Sequence, residues 1–370
     1  VAPDRFVAAA VTHRVLGVLG ASGNPAGLPA AVLRPLHRPA LVAAGAGLAL
    51  ARGTALAWQA LRDAGVPCLV LKGAALAALS TGRCEVRGGG DIDLLVDPIH
   101  MPAAHRALTA AGWYPSPGKT VDPGPGAGWA WTRFSSRERT YVGPNHDIDL
   151  HWRIGHGTAV FPPASVLIDR ATTVDLAGVP VTSLAVPDAL LATCYHARYD
   201  ELSSLRYLVD VARLNRLAAG SPPAGLGRSG RRLVREVTGF VEELLGPEDR
   251  MPLPAGPSAR ARRMAALWCE GSPWGIDEQR RNGPRTSPWD LALPRKFVRL
   301  GRSLELERSV SSWIRILGFT ALPGHVLVDG TRPLSGAEVF RRGTVRAALR
   351  CRSAVGRPHR NDLPRVDHHG

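Results

Sequence analysis

The sequence predicts an α+β protein, with helices at the N-terminus, a short sheet flanked by helices, and a mostly helical C-terminal region. Three observations predict it. Apolar runs at 66–71 and 91–96, bounded by Gly, Pro or Lys-Gly, have the length of buried strands. Ala177-Gly178 splits two strand-like runs at 172–184 into a β-hairpin. Ala- and Leu-rich stretches before 65 and after 187 have helical length, the first with several glycines inside it.

In chain order, Val7 to Leu19 and Leu41 to Ala64 read as helices, the second stopped by Gly65. The strand at 66–71 leads into a short helix from Ala74 to Leu79. Asp91 to Val96 is the next strand, closed by Pro98, and Met101 to Ala111 is an amphipathic helix stopped by Gly112. Residues 115–128, dense in Pro and Gly, form a loop. Trp129 to Phe134 and Tyr141 to Trp152 read as strands, and Pro187 to Tyr199 and Leu202 to Leu217 as helices. A Pro/Gly stretch at 219–230 reads as a hinge, with further Pro-rich breaks at 252–257, 282–288 and 322–324. This gives an N-terminal helical region at 1–65, a core at 66–186, a helical C-terminal region at 187–356 and a disordered tail at 357–370.

Composition narrows the setting. Five scattered cysteines, odd in number and without any CxxC, argue against a disulfide framework and a zinc site and fit a reducing cytoplasm. No charged N-terminal region precedes a long apolar run, so no signal peptide is expected. The Ala-rich stretch from Ala40 to Ala60 contains Arg52 and Gln59 and reads as a buried helix, so no membrane partner is expected. The net charge is +15, and from Gly271 to Gly370 there are 18 basic against 9 acidic residues. Such a surface attracts polyanions. Only three of the 46 basic residues are lysines, Lys72, Lys119 and Lys296. That bias fits an Arg-rich solvated exterior from a GC-rich genome, and no nucleic-acid motif accompanies it.

The chemistry concentrates in Gly88-Gly89-Gly90-Asp91-Ile92-Asp93-Leu94-Leu95-Val96 and its echo Asp147-Ile148-Asp149-Leu150-His151-Trp152. Strand side chains alternate faces, so Asp91 and Asp93 point one way while Ile92 and Leu94 point into a core. Paired carboxylates on one face repel unless a cation sits between them, and Mg²⁺ prefers carboxylate and phosphate oxygens. Nucleotidyl transfer needs such a set, because charge builds on the entering and leaving oxygens of the α-phosphorus, and two metals about 3.5–4 Å apart clamp both. A third acid from another strand completes the metal that activates the nucleophile and can take its proton. Upstream, Lys72-Gly73 ends a strand and opens a helix, where glycine lets backbone approach phosphate. Arg87 is a candidate phosphate or ribose contact. His151, on the strand face of Asp149, reads as a histidine that orients this carboxylate or takes part in catalysis. Asp147 shares that face and competes with Asp149. The tryptophans at 113, 129, 131 and 152 read as core, and His196, Arg206 and Asp210 as a buried polar network.

At LVLKGAALAALSTGR, RGGGDIDLLV and HDIDLHWRI, with Cys194-Tyr195-His196 and Leu205-Arg206-Tyr207-Leu208-Val209-Asp210 later, the chain resembles a bacterial nucleotidyltransferase family of the DNA polymerase β superfamily. The resemblance covers about residues 40 to 220. It implies a polymerase β-like core with a short mixed sheet at 66–186. It also implies Asp91, Asp93 and Asp149 as catalytic metal ligands for two Mg²⁺ ions. Lys72, Gly73, Arg87 and Gly90 are then the nucleotide-binding positions, an NTP the substrate, and a small molecule, peptide or protein the unidentified acceptor. One departure stands out. The superfamily usually has Gly-Ser or Gly-Gly after the first strand, whereas Gly73 is followed here by Ala74, which has no hydroxyl for a triphosphate.

Two further activities fit parts of the pattern. A tRNA-modifying nucleotidyltransferase toxin would use the basic C-terminal segment, and a non-catalytic nucleotide-binding scaffold would account for Ala74. A small-molecule kinase shares Asp149-Leu150-His151, but no Asn follows at the metal-binding spacing and no Gly-rich loop precedes a strand lysine.

Overall fold

A computed structural model describes residues 2–23, 27–116, 122–200, 202, 204–218, 226–245, 258–270, 303–307, 309–321, 328–329 and 332–333. The expected tail at 357–370, the breaks at 252–257, 282–288 and 322–324, and the first part of the 219–230 stretch lie outside them, as does most of the basic segment after Gly271.

Seven strands form one mixed sheet: β1 (Cys68–Val70), β2 (Asp91–Val96), β3 (Tyr114–Pro115), β4 (Glu138–Val142), β5 (Asp147–His151), β6 (Thr172–Leu176) and β7 (Val179–Ser183). Their spatial order is β3-β4-β5-β2-β1-β7-β6. The β2–β5 and β1–β7 pairs are parallel and the others antiparallel. The expected hairpin is β6–β7, turned by Ala177, at φ +55, and Gly178, at φ +89.

Helices cover both faces because both faces of the central strands are apolar. Ile92, Leu94 and Val96 of β2 and Ile148 and Leu150 of β5 face one way. They pack under α3 (Ala30–Asp63) and α5 (Met101–Ala110), with Trp58, Leu61, Met101 and Leu108 in the same core. Leu69, Leu71 and Leu95 face the other way. They pack against α8 (Val186–Tyr199), α9 (Leu205–Leu217) and α10 (Arg228–Leu245). The side chains of Asp91 and Asp93 share this second face with Leu95. Before α3 stand α1 (Pro3–Thr12) and α2 (Leu16–Ala21), and between the strands lie α4 (Ala74–Thr81), α6 (Ala127–Ser135) and α7 (Ala164–Asp169). After α10 come α11 (Ala259–Glu270) and α12 (Val310–Ala321).

Four elements differ from the sequence expectation. The helix expected at 7–19 is broken between α1 and α2, where Arg14 takes φ +54. There the His13 carbonyl accepts from Ser204 Oγ and the Arg206 amide, so docking onto the start of α9 sets the break. α3 begins at Ala30 rather than Leu41 and runs through Pro35 and Pro39. Val32, Leu36 and Ala40 bury at a spacing of four residues and carry the helix past both rings, each of which removes one backbone hydrogen bond. α3 is long and apolar enough to cross a membrane, though its second half is the core helix under the sheet. The expected strand at 129–134 is the helix α6, which buries Trp129, Thr132 and Ser135 at intervals of three. The expected strand at 141–152 is two strands, with Gly143-Pro144-Asn145 inside the turn between them.

A segment from near the C-terminus reaches back to the end of β5. Glu307, fully buried, accepts from the amides of Gly157 and Ala159, each at 3.1 Å, with one carboxylate oxygen apiece. Ser312 Oγ accepts from the Thr158 amide at 3.1 Å, and Tyr195 Oη from the His156 amide at 3.3 Å. Four consecutive amides thus close on one carboxylate and two hydroxyls, as a nest of N–H groups closes on an anion. Arg315 on α12 adds a hydrogen bond to the Phe134 carbonyl at 3.0 Å. Glycine at 157 is required because a Cβ there would overlap Ser312 and the Glu307 carboxylate. Gly157→Ala should therefore lower stability by about 1–3 kcal/mol, read as a fall in the urea midpoint at unchanged slope.

Candidate active site

The site is built by the β2–β5 pair. Its parallel register sets Asp91 beside Asp147, Asp93 beside Asp149 and Leu95 beside His151. Carboxylate oxygens of Asp91, Asp93 and Asp149 lie within 4.8 Å of one another, with Asp91 exposed, Asp93 buried and Asp149 half-buried. That donor set, all hard oxygens on one face, fits a divalent cation such as Mg²⁺. Asp147 stays outside the cluster, and its Oδ1 accepts from the Gly143 amide of the turn at 3.4 Å.

The neighbouring acids Asp93 and Asp149 have opposite surroundings. Burial alone would raise the Asp93 carboxyl, but Lys72 Nζ at 2.8 Å and His151 Nε2 at 3.1 Å, both on Oδ1, hold it well below the usual carboxylate range. Asp149 is pushed up by burial and by the charge of Glu138, against a 2.7 Å hydrogen bond from Thr140 Oγ1. The β4–β5 register places Thr140 opposite Asp149 and Glu138 opposite His151. Glu138 Oε2 lies 3.2 Å from His151 Nδ1 and 2.9 Å from Arg137 Nε. Burial would raise the Glu138 carboxyl, but Arg137 and His151 bring it to about 2. Above this row, half-buried His196 on α8 is driven well below the usual histidine range by desolvation and by the charges of Lys72 and Arg137, so its ring is neutral.

Upstream, Gly73 takes φ +65 as the N-cap of α4, a left-handed conformation that favours glycine. No side chain caps α4, so the amides of its first turn have no side-chain acceptor, and Gly73 and Ala74 to Leu76 are buried. Of the glycine run, Gly89 is the close-packed one, where a Cβ would lie 3.0 Å from Leu50, whereas Gly90 has open space around it.

Arg87, read as a candidate phosphate or ribose contact, is buried and donates from Nε to Asp210 Oδ2 on α9 at 2.7 Å. Two other sequence readings are corrected. The expected network of His196, Arg206 and Asp210 is divided, since Asp210 takes Arg87 and Arg206 Nη1 donates to the Gly88 carbonyl at 3.2 Å. His151 holds Asp93 across the parallel pair, not its own strand neighbour Asp149. Sequence reasoning missed Glu138 and Thr140 altogether. The turn residues Gly143-Pro144-Asn145 could have found them, because a strand folded back from that turn lies beside β5.

A family model described as an uncharacterised nucleotidyltransferase matches residues 1–222, more than half of the chain. The chain belongs to that nucleotidyltransferase family. No curated protein matches it by sequence. Among solved structures it is similar to the solution structure of the antibiotic-resistance factor ANT(2'')-Ia, at 14% identity and TM-score 0.29 over 60% of this chain and 91% of that one. The crystal structure of ANT(2'')-Ia in complex with adenylyl-2''-tobramycin matches at 16% identity and TM-score 0.31, over 49% and 92%. An antigenic nucleotidyltransferase-like protein from Paracoccidioides brasiliensis matches at 15% identity and TM-score 0.36, over 57% and 95%.

Two predictions follow from the geometry of this nucleotidyltransferase. Arg87→Met leaves Asp210 buried without its partner and should cost about 3–5 kcal/mol, as should Asp210→Leu, while the double variant costs less than the sum. A double-mutant cycle by urea unfolding checks this, and additive costs would deny that the two residues act as a pair. His156 is brought to about 3 by burial and by Arg137, from an ordinary value of 6.5. Between those pH values the unfolded chain binds a proton that the folded one refuses, so this stability is full above pH 6.5 and falls as pH drops. The stability of His156→Gln should fall less between pH 7 and about 5 than that of the parent.

Proposed function

We propose that the chain transfers a nucleoside monophosphate from an NTP to an acceptor hydroxyl, releasing pyrophosphate, at a site where Asp91, Asp93 and Asp149 hold two Mg²⁺ ions. The observation that carries this reading is the convergence of the three carboxylates on one sheet face. When bound, the metal supplies charge stabilisation at the entering and leaving oxygens.

The chain's own residues divide the remaining work. Gly73 and the uncapped first turn of α4 receive the triphosphate, so the missing hydroxyl at Ala74 is made good by backbone amides. Lys72, with 28% of its side chain exposed, adds a cation between Asp93 and the open space beside it. Asp93, held ionised, is a permanent ligand. Asp149, raised towards neutrality by burial and Glu138, is the acid suited to take the acceptor proton as the new oxygen–phosphorus bond forms. Arg87 acts from behind, fixing the turn before β2 to α9 through Asp210.

The acceptor we favour is a small molecule, a peptide or a protein side chain. The net charge of +15 supports a second reading, a tRNA end, and this one predicts binding that weakens steeply with salt. The buried free thiols Cys68, Cys84 and Cys194 support a cytoplasmic setting.

Incubation with each α-labelled NTP, Mg²⁺ and host extract tests the reaction. Label should pass to an acceptor with the parent chain and fall roughly a hundredfold or more with Asp91→Asn/Asp93→Asn. Equal labelling by both would overturn the site, and no labelling with any NTP and acceptor would leave a nucleotide-binding scaffold.

A further inference from the structure

We infer that His151 and Glu138 are positioning residues that make Asp93 a one-oxygen metal ligand. This rests on the proposed metal site and deepens it. His151 Nε2 and Lys72 Nζ both engage the same oxygen, Oδ1, at 3.1 and 2.8 Å. Each carboxylate oxygen has two lone pairs, and the two donors together occupy those of Oδ1. Oδ2 is then the oxygen left for a metal shared with Asp91 and Asp149.

Of the two donors on Oδ1, His151 is the fixed one. Lys72 is a long chain, 28% exposed, whose ammonium can turn to an arriving phosphate. The His151 side chain is 1% exposed. On its far side Glu138 Oε2 lies 3.2 Å from Nδ1, in contact with the ring but without hydrogen-bond geometry. Glu138 is in turn held by Arg137 at 2.9 Å. The sheet supplies the alignment: Leu95, His151 and Glu138 form the next rung on the same face, two positions along from the one that carries Asp93, Asp149 and Thr140. A ligand rung thus rests on a supporting rung, and groups that orient a ligating carboxylate set metal affinity almost as strongly as the ligands.

The test is Mn²⁺ affinity of the full chain without nucleotide, followed by electron paramagnetic resonance of the free ion, beside the thermal midpoint of each variant. His151→Leu should weaken Mn²⁺ binding by about 10–100-fold. His151→Gln, which keeps a donor of similar reach, should restore most of it. Glu138→Gln should weaken binding severalfold, yet add nothing in the His151→Leu background, because Glu138 acts through the ring. A purely packing role would lower the midpoint of His151→Leu and leave its Mn²⁺ affinity at the parent value, which overturns the inference. Mn²⁺ binding that survives Asp91→Asn/Asp93→Asn would instead overturn the site itself, so the two failures are told apart.

Discussion

The site depends on the register of one parallel strand pair. Asp-Ile-Asp-Leu occurs at 91–94 and again at 147–150, and the sheet lays the two copies side by side, residue against residue. A slip of one position would set Asp93 beside Ile148 or Leu150 and turn the whole acid set of one strand into the core under α3. Ile92, Leu94, Ile148 and Leu150 forbid that, because all four are buried in that core. The register therefore follows from apolar packing on one face, and the chemistry on the other face inherits it.

That register also stacks like charges, and the molecule offsets them unequally. The outer pair, Asp91 and Asp147, is exposed, so water screens it, and Asp147 is drawn off by the Gly143 amide. The inner pair is shielded and needs protein partners. Asp93 receives Lys72 and His151, while Asp149 receives the neutral hydroxyl of Thr140 and has the anion of Glu138 nearby. The two adjacent carboxyls are therefore shifted in opposite directions, Asp93 down and Asp149 up.

The α+β architecture, the sheet strands at 68–70 and 91–96, the β6–β7 hairpin and the three acids were legible because each is a local pattern. Asp147 was separable from Asp149 only by neighbours, and the turn amide gives the physical reason. What escaped was non-local. Arg87 sits just before Asp91-Ile92-Asp93, and nothing near it in sequence shows that Asp210 will be folded against it. The alternation of Trp129 and Trp131 imitates a strand, whereas burial at 129, 132 and 135 makes a helix. Glu138 and Thr140 lay hidden in a strand that begins before the expected one, so these neighbours of His151 and Asp149 were lost with the strand boundary.

The supporting rung is itself anchored from outside the 222 residues that the family model matches. The segment after His151 leaves the sheet with its amides at 156–159 turned to Tyr195, Glu307 and Ser312. A buried amide left unpaired costs about 1–3 kcal/mol. Glu307, Ser312 and Tyr195 satisfy all four. The carboxylate is costly to bury, and burial pushes its carboxyl up, but the amide hydrogen bonds favour its charged form. Gly155 and Gly157 leave room for it where any Cβ would intrude. Residues 303–321 thus pin the strand that carries Asp149 and His151 at its far end, while apolar packing under α3 pins it along its length. A strand held at both places cannot slide, and a carboxylate cluster whose oxygens must meet within a few ångströms requires that.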